Sequence, residues 1–440
     1  MKHARPTPSH SSADSVAKTS DDNRIPLLQQ RPTPANFQAH PLRTGGAGTL
    51  RGNVRSLYLH VPFCSHKCHY CDFYSLVDTQ DRQEAFVERL IRELHGLSPF
   101  AAQGPLRTVF VGGGTPSLLR MDLWERLLET VADRFDLSEI QQGRGEFTVE
   151  CNPESVTPEL LEALRAGGVD RISMGAQSFH ASHLKTLERL HNPATVRPAI
   201  QMARDAGFDR LSVDLIFGVP GQTLDEWRSD LDSALALGTE HLSCYNLTYE
   251  KGTAMTARLN RGEFSPADED VEVDMYELTV EHLAAAGLRR YEISNYSKPG
   301  CESRHNLAYW RQEEWLAAGP SASGHVAGWR WKNVARLDDY LRASPDGLPE
   351  VADAEAPDAA RATRERMWTG LRLWEGLDAV STLEEVRTFD PRAAERLRAA
   401  ANKARDQGVL DEMDGRWVLN KRGMLVADSI VVDFMAALDG

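Results

Sequence analysis

The sequence predicts an α/β protein built on a parallel sheet covered by helices, with a smaller α+β module after it. Three observations carry that expectation. Strand-like and helix-like apolar periods alternate six times between about Leu57 and Ala286, which calls for parallel βαβ units with right-handed crossovers. Three of the six cysteines fall in one short loop just after the first strand. From about Ala359 the pattern changes to helices and a single hairpin.

The elements follow in order. An alternating run over Leu57 to Val61 stops at Pro62, and the cysteine loop begins at Cys64. Gln83 to Leu97 carries Phe86, Leu90, Ile91, Leu94 and Leu97 at helical spacing. Thr108 to Val111 is a strand leading into Gly112-Gly113-Gly114-Thr115-Pro116-Ser117, and Leu123 to Phe135 is the next helix. Glu146 to Glu150 alternates as a strand, Pro158 to Ala166 is a helix with Thr157 as N-cap, and Arg171 to Ser178 is a strand. Val196 to Ala206, Leu211 to Phe217, Leu224 to Leu237 and His241 to Leu247 continue as helix, strand, helix, strand, before a long helix at Asp268 to Ala286. Six such units fit an open doubly wound sheet or a partial barrel, and periodicity alone does not choose.

Chemistry concentrates at strand ends. The loop Cys64-Ser65-His66-Lys67-Cys68-His69-Tyr70-Cys71 is a C-x3-C-x2-C run. Thiolates select zinc, copper(I) or iron–sulfur clusters, but structural zinc takes four closed ligands. A four-iron cluster held by three cysteines leaves one iron open; buried free thiols are the plainer reading. His66 and His69 are expected as exposed loop residues. Glu150, Gln177 and Asp214 are polar groups in apolar runs, and a buried polar group needs a partner. That partner is either a ligand or an ion pair, such as Asp214 with Arg171 or Arg189. Arg189 has the fork that binds a carboxylate bidentately.

With its preceding strand and the glycine run, this cysteine loop resembles the radical S-adenosylmethionine (SAM) superfamily. The resemblance implies a curved partial (β/α)6 barrel with a [4Fe-4S] cluster on Cys64, Cys68 and Cys71 at its mouth. It also implies SAM chelating the open iron and cleavage to a 5'-deoxyadenosyl radical. Tyr58-Leu59-His60-Val61-Pro62-Phe63-Cys64, Gly112 to Ser117, Glu150, Met174 to Phe179 and Asp214 to Pro220 narrow the likeness. They resemble the branch that contains oxygen-independent coproporphyrinogen III dehydrogenases and the HemW-type heme chaperones, from about residue 55 to the C-terminus. Carried over by position, Tyr58, Gly113 and Glu150 would touch one SAM, while Tyr70, Gly114, Thr115, Gln177, Arg189 and Asp214 match a second SAM site of the dehydrogenases. Those enzymes carry a further cysteine where this chain has Phe73. His305-Asn306-Leu307-Ala308-Tyr309-Trp310 matches the chaperone motif HNxxYW, which implies heme at His305, with Cys301 and His325 as further ligand candidates. From the residues alone, His305 is a satisfied histidine beside packing aromatics.

Composition bounds the rest. The 440 residues hold 50 Lys plus Arg against 64 Asp plus Glu, a net charge of -14, which disfavours general nucleic-acid binding. Thiols and an oxygen-sensitive cluster belong in a reducing cytoplasm, and no apolar run is long enough to span a membrane. The expected division is a disordered extension over 1–50, rich in proline and polar residues; a core over 51–290; a barrel extension and linker with the HNxxYW motif over 291–358; and a winged-helix-like module over 359–440. The extension lacks the apolar region of a secretory signal, and Asp14, Asp21 and Asp22 dilute the basic character of a transit peptide. The expected function is heme transfer to an acceptor protein, with an electron donor serving the cluster. The alternative is oxidative decarboxylation of porphyrinogen propionates, and a zinc-bearing regulatory protein is the third reading.

Overall fold

The inner face of the central sheet is polar and its outer face apolar, and that asymmetry fixes the architecture. The structure, a computed structural model, describes residues 37–44, 52–342 and 344–439. Strands β1 (Ser56–Val61), β2 (Thr108–Gly113), β3 (Glu146–Cys151), β4 (Arg171–Gln177), β5 (Arg210–Phe217) and β6 (His241–Asn246) lie side by side in chain order, all parallel. A doubly wound sheet reverses its order at a switch point. This one does not reverse, so right-handed crossovers keep the helices on one face and the wall is that of a barrel.

Leu57, Leu59, Val61, Val109, Val111, Phe147, Val149, Ile172, Met174, Val213 and Leu215 alternate onto the helix-covered face and share one buried core with Phe86, Leu90, Leu127, Leu164 and Trp227. At about 25 cal/mol per Å2 of apolar area, each fully buried Leu or Val contributes about 1.5–3 kcal/mol. The intervening residues, Tyr58, His60, Thr108, Glu146, Thr148, Glu150, Ser173 and Asp214, turn the other way. They line the concave side.

The wall stays open. Beyond β6 the sheet runs antiparallel through β7 (Arg289–Arg290) and β8 (Asn295–Ser297). Beyond β1 it continues through β9 (Trp315–Ala318), β10 (Ser323–Val326), β11 (Trp329–Asn333) and β12 (Val351–Glu355). The partial barrel is therefore as expected, but β9 adds a seventh parallel strand against β1. Its four residues are too short to show alternation in sequence. The N-cap at Thr157 is present: the Leu160 N–H donates to its Oγ1 at 3.2 Å.

Of the expected extension, residues 1–36 and 45–50 lie outside the described residues. Phe37 to Thr44 is instead seated on the body. Gln38 exchanges backbone hydrogen bonds with Val351 at 2.9 and 3.0 Å, and Leu42 is buried. Phe37 packs against the main core and Leu42 belongs to it, and these two apolar residues seat the stretch.

The C-terminal part has its own core around Met367, Leu383, Leu397, Trp417 and Phe434. Helix Ala359–Gly370, β13 (Leu377–Asp378), helices Ala379–Phe389 and Pro391–Asp406, then β14 (Leu410–Met413) and β15 (Arg416–Leu419) give the order of a winged helix. Asp414 and Gly415 turn the hairpin with φ 49° and 75°, the positive pair a type I′ turn requires. Sequence periodicity places helices at Arg364 to Leu373, Pro391 to Gln407 and Met424 to Leu438; it misses the one at Ala379–Phe389, and the last is broken into Lys421–Leu425 and Ala427–Asp439. Among the described residues no helix is long and apolar enough to cross a membrane.

Candidate functional site: a thiol loop at the mouth of the barrel

The cysteine loop is held by backbone hydrogen bonds that continue the β1–β2 pairing past the strands. The Gly114 N–H donates to Val61 O at 2.8 Å, Thr115 N–H to Phe63 O at 2.7 Å, and Cys64 N–H to Leu76 O at 2.9 Å. A Cβ on Gly114 would stand 2.7–2.8 Å from Phe63 O and Val61 O. Only glycine lets the two chains approach this closely.

Cys64, Cys68 and Cys71 are free and half-buried. The Thr115 hydroxyl lies 3.5 Å from Cys64 Sγ, and Arg189 Nη1 lies 3.6 Å from Cys68 Sγ. Arg189 Nη2 also donates to Asn152 Oδ1 at 2.8 Å and Gly175 O at 2.9 Å, and Asn152 Nδ2 donates to Thr115 Oγ1 at 3.2 Å. Thr115, Asn152 and Arg189 thus form one polar chain across the ends of β2, β3 and β4. Arg189 Nε is buried without a partner, a donor left over for a ligand. Gln177 sits at φ 63° where the β4–β5 register shifts.

Deeper on the concave face, Glu150 Oε2 accepts from the Gly113 N–H at 3.1 Å. Burial, reinforced by the charge of Asp214, pushes its carboxyl up to about 7. Asp214 takes the Ser173 hydroxyl at 3.3 Å. Burial raises its carboxyl too, against the Ser243 and Ser173 hydroxyls and the more distant charges of Arg171 and Arg189. The expected Asp214–arginine contact is replaced by serines. Tyr70 packs with Leu187, Ile216 and Met255, its phenol pushed up by burial against the Arg189 charge. Tyr58 lies inside the barrel, its hydroxyl 3.0 Å from His60 Nδ1.

The raised Glu150 carboxyl makes a signed prediction. A folded-state value near 7, above the roughly 4.3 of an unfolded glutamate, means stability is fully present below about pH 4 and declines as pH rises through 7. In protein free of ligands, Glu150→Gln should gain stability over wild type as pH rises from 5 to 8. The displacement corresponds to about 3 kcal/mol. Denaturant titration at the two pH values reads it, and a pH-independent difference would refute it.

The donors fit a cluster held by three thiolates. His69 Nδ1 faces Arg258 Nη1 at 3.1 Å and His66 Nε2 lies 3.9 Å from Glu188; both are half-buried, correcting the exposed positions expected. His66 Nε2 makes no hydrogen bond, but among the described residues no three His, Cys, Asp or Glu ligand atoms gather within 4.8 Å of one another at this loop, so the closed set of a structural zinc is not assembled. Cys151 and Cys244 belong to the apolar core, and Phe73 is 63% exposed beside the loop.

His305 is at the other end of the barrel. Its Nδ1 lies 2.8 Å from Thr108 Oγ1 and its Nε2 2.9 Å from Tyr309 OH. From Thr108 to Gly113 is five steps of about 3.3 Å, so floor and mouth are about 16 Å apart. Burial drives the imidazole down to about 4, so it is neutral at physiological pH. Helix Arg304–Trp310, which carries HNxxYW, closes the floor. Its start is held by Glu146, whose carboxylate accepts from Arg304 N–H at 3.0 Å and Ser303 Oγ at 3.1 Å. Cys301 is half-buried, and His325 Nδ1 lies 3.2 Å from Glu313 O beside Trp315; neither lies in the thiol loop. Sequence reasoning missed Asn152 and Glu146. Each is a polar residue next to a strand boundary, which is the signal they gave.

A parallel wall wound in order, with three thiols after its first strand, defines a radical SAM protein, and the radical SAM superfamily model matches residues 58–234. The model of the HemN C-terminal domain matches residues 358–426. The chain is 37% identical to the heme chaperone HemW of Mycobacterium tuberculosis over 90% of its length and 98% of the relative's. It is 32% identical to HemW of Escherichia coli over 87% and 98%. The solved coproporphyrinogen III oxidase HemN of Escherichia coli, a radical SAM enzyme, superposes with a TM-score of 0.76 and 22% identity over 92% of this chain and 95% of that one; it speaks to the fold. The chain belongs to the HemW family.

Proposed function

We propose that the protein is a cytoplasmic heme chaperone that binds heme and passes it to an acceptor protein. Cys64, Cys68 and Cys71 would hold a [4Fe-4S] cluster with SAM beside it. When bound, such a cluster supplies single electrons to the sulfonium of SAM, and a donor protein would keep it reduced. Around it the chain contributes side-chain-free backbone at Gly113 and Gly114, the Arg189 charge, and the Tyr58, Tyr70, Thr115, Glu150, Gln177 and Asp214 side chains. What carries the reading is the conjunction of the three-thiol loop with family membership along the whole described body. Phe73, in the place where the dehydrogenases have cysteine, favours the chaperone.

Heme is the cargo, and His305 is its proposed ligand. A neutral imidazole suits iron, but both ring nitrogens are engaged. Binding therefore has to open one of these bonds, each worth about 1 kcal/mol. Tyr309→Phe removes the bond at Nε2, so heme titration should show affinity raised about fivefold, while His305→Ala should lose the ligated Soret band. Equal affinity and spectrum in wild type and His305→Ala would remove His305 as ligand. An assay of coproporphyrinogen III with SAM tests the reading as a whole: turnover at enzymatic rates would replace the chaperone with the decarboxylating enzyme.

A further inference from the structure

Away from the thiol loop, two histidines and a glutamate converge on the outer rim of the barrel. His180 caps and His183 lies within helix Ala181–Thr186 after β4, and Glu226 stands in the first turn of helix Leu224–Leu235 after β5. One ligand atom of each lies within 4.8 Å of the others. The His180 and His183 rings meet edge-on with centroids 5.3 Å apart. His183 is 4% exposed, and its Nε2 makes no hydrogen bond although Glu226 Oε2 is 3.5 Å away. A buried polar atom left without a partner costs about 1–3 kcal/mol, so its environment is incomplete as it stands.

We propose that His180, His183 and Glu226 form a binding site for a divalent transition-metal ion of the zinc class. Two imidazoles and one carboxylate make a three-ligand set that zinc takes with water in its fourth position. Nitrogen donors select against calcium and magnesium, which take oxygen. The Glu226 oxygen Oε2, which faces His183 Nε2, is held by Thr223 N–H at 2.9 Å and its hydroxyl at 3.0 Å, and this anchors the carboxylate beside the imidazole. Metal–nitrogen distances of about 2.0–2.1 Å place ligands about 3.3 Å apart, so closure needs side-chain movements of roughly 1–1.5 Å. Entry is through His180, whose side chain is 29% exposed. Behind it, the wholly buried Asp230 takes the Ser178 hydroxyl at 2.8 Å and Phe179 N–H at 2.6 Å, fixing the backbone that presents His180.

The placement gives the ion a consequence. His180 and His183 lie on the segment that runs from Gln177 to Arg189, where Glu188 faces His66 and Arg189 faces Cys68 of the thiol loop. An ion shared with Glu226 ties that segment to the helix after β5. The site is independent of heme and of the cluster.

The test is zinc binding by the full chain, with calorimetry and thermal unfolding as readouts. Because zinc also binds free thiols, one arm uses the chain with Cys64, Cys68 and Cys71 changed to serine, and a second uses cluster-loaded protein. One zinc per chain is expected in both arms, with a raised Tm. Affinity should fall at least about tenfold in His183→Gln and in His180→Gln, with the Tm rise lost. Circular dichroism of the metal-free variants checks that they fold. No stoichiometric zinc in either arm, or binding unaltered by both glutamine substitutions, overturns the proposal.

Discussion

Cys68→Ala is expected to abolish the iron–sulfur chromophore of anaerobically reconstituted protein, with bound iron and sulfide falling to background rather than to two-thirds. A cluster held by three protein thiolates has no fourth thiol on the loop to take over. His66 and His69 face Glu188 and Arg258, and the half-buried Cys301 is held outside the loop, its N–H donating to Lys298 O at 3.0 Å. Cys68 is also the thiol nearest Arg189, so its loss removes the ligand closest to a fixed positive charge. Cys301→Ala should keep full iron and sulfide, which separates ligand loss from general damage by cysteine removal. Stoichiometric iron and sulfide in Cys68→Ala, or one zinc and no iron in wild type, would refute the cluster assignment.

The strand pattern is what made the wall predictable. Leu57, Leu59 and Val61, or Val109 and Val111, declare an outer face by period two, and the cysteine loop marks the end of the wall where ligands collect. Chain order of the strands was not available from periodicity. It is set by which helix packs on which neighbour, so the choice of partial barrel over doubly wound sheet came from the family likeness and then from the pairing. The polar chain Thr115–Asn152–Arg189 was half visible. Arg189 stood out as a cation amid apolar residues, whereas Asn152 in Cys151-Asn152-Pro153 looked like a turn residue. The HNxxYW segment is where two readings part: the residues alone give a satisfied histidine, and the family likeness gives a heme ligand. A one-dimensional pattern does not reveal that Thr108 and Tyr309 would satisfy both nitrogens.

Glu146→Gln is expected to destabilise the chain by about 3–5 kcal/mol, because the buried Arg171 loses the carboxylate whose charge offsets its own, while Arg210 keeps only Asp170. Glu146 is completely buried, yet it receives Arg210 Nη2 at 2.6 Å as well as Ser303 Oγ and Arg304 N–H. Burial by itself raises the carboxyl, but the charges of Arg171 and Arg210 and the Arg304 N–H outweigh it and hold it below its ordinary value. The sign is thus opposite to that of Glu150. Stability from Glu146 is present above the unfolded value of about 4.3 and is lost as pH falls through the folded one. The denaturant midpoints of wild type and Glu146→Gln should therefore differ at pH 7 and converge toward pH 3. Because Glu146 fastens the first turn of the HNxxYW helix to β3, the substitution should also loosen the barrel floor. Hydrogen exchange at Asn306 to Trp310 should rise relative to Leu57 to Val61, and uniform protection across both segments would show that the carboxylate does not hold the floor.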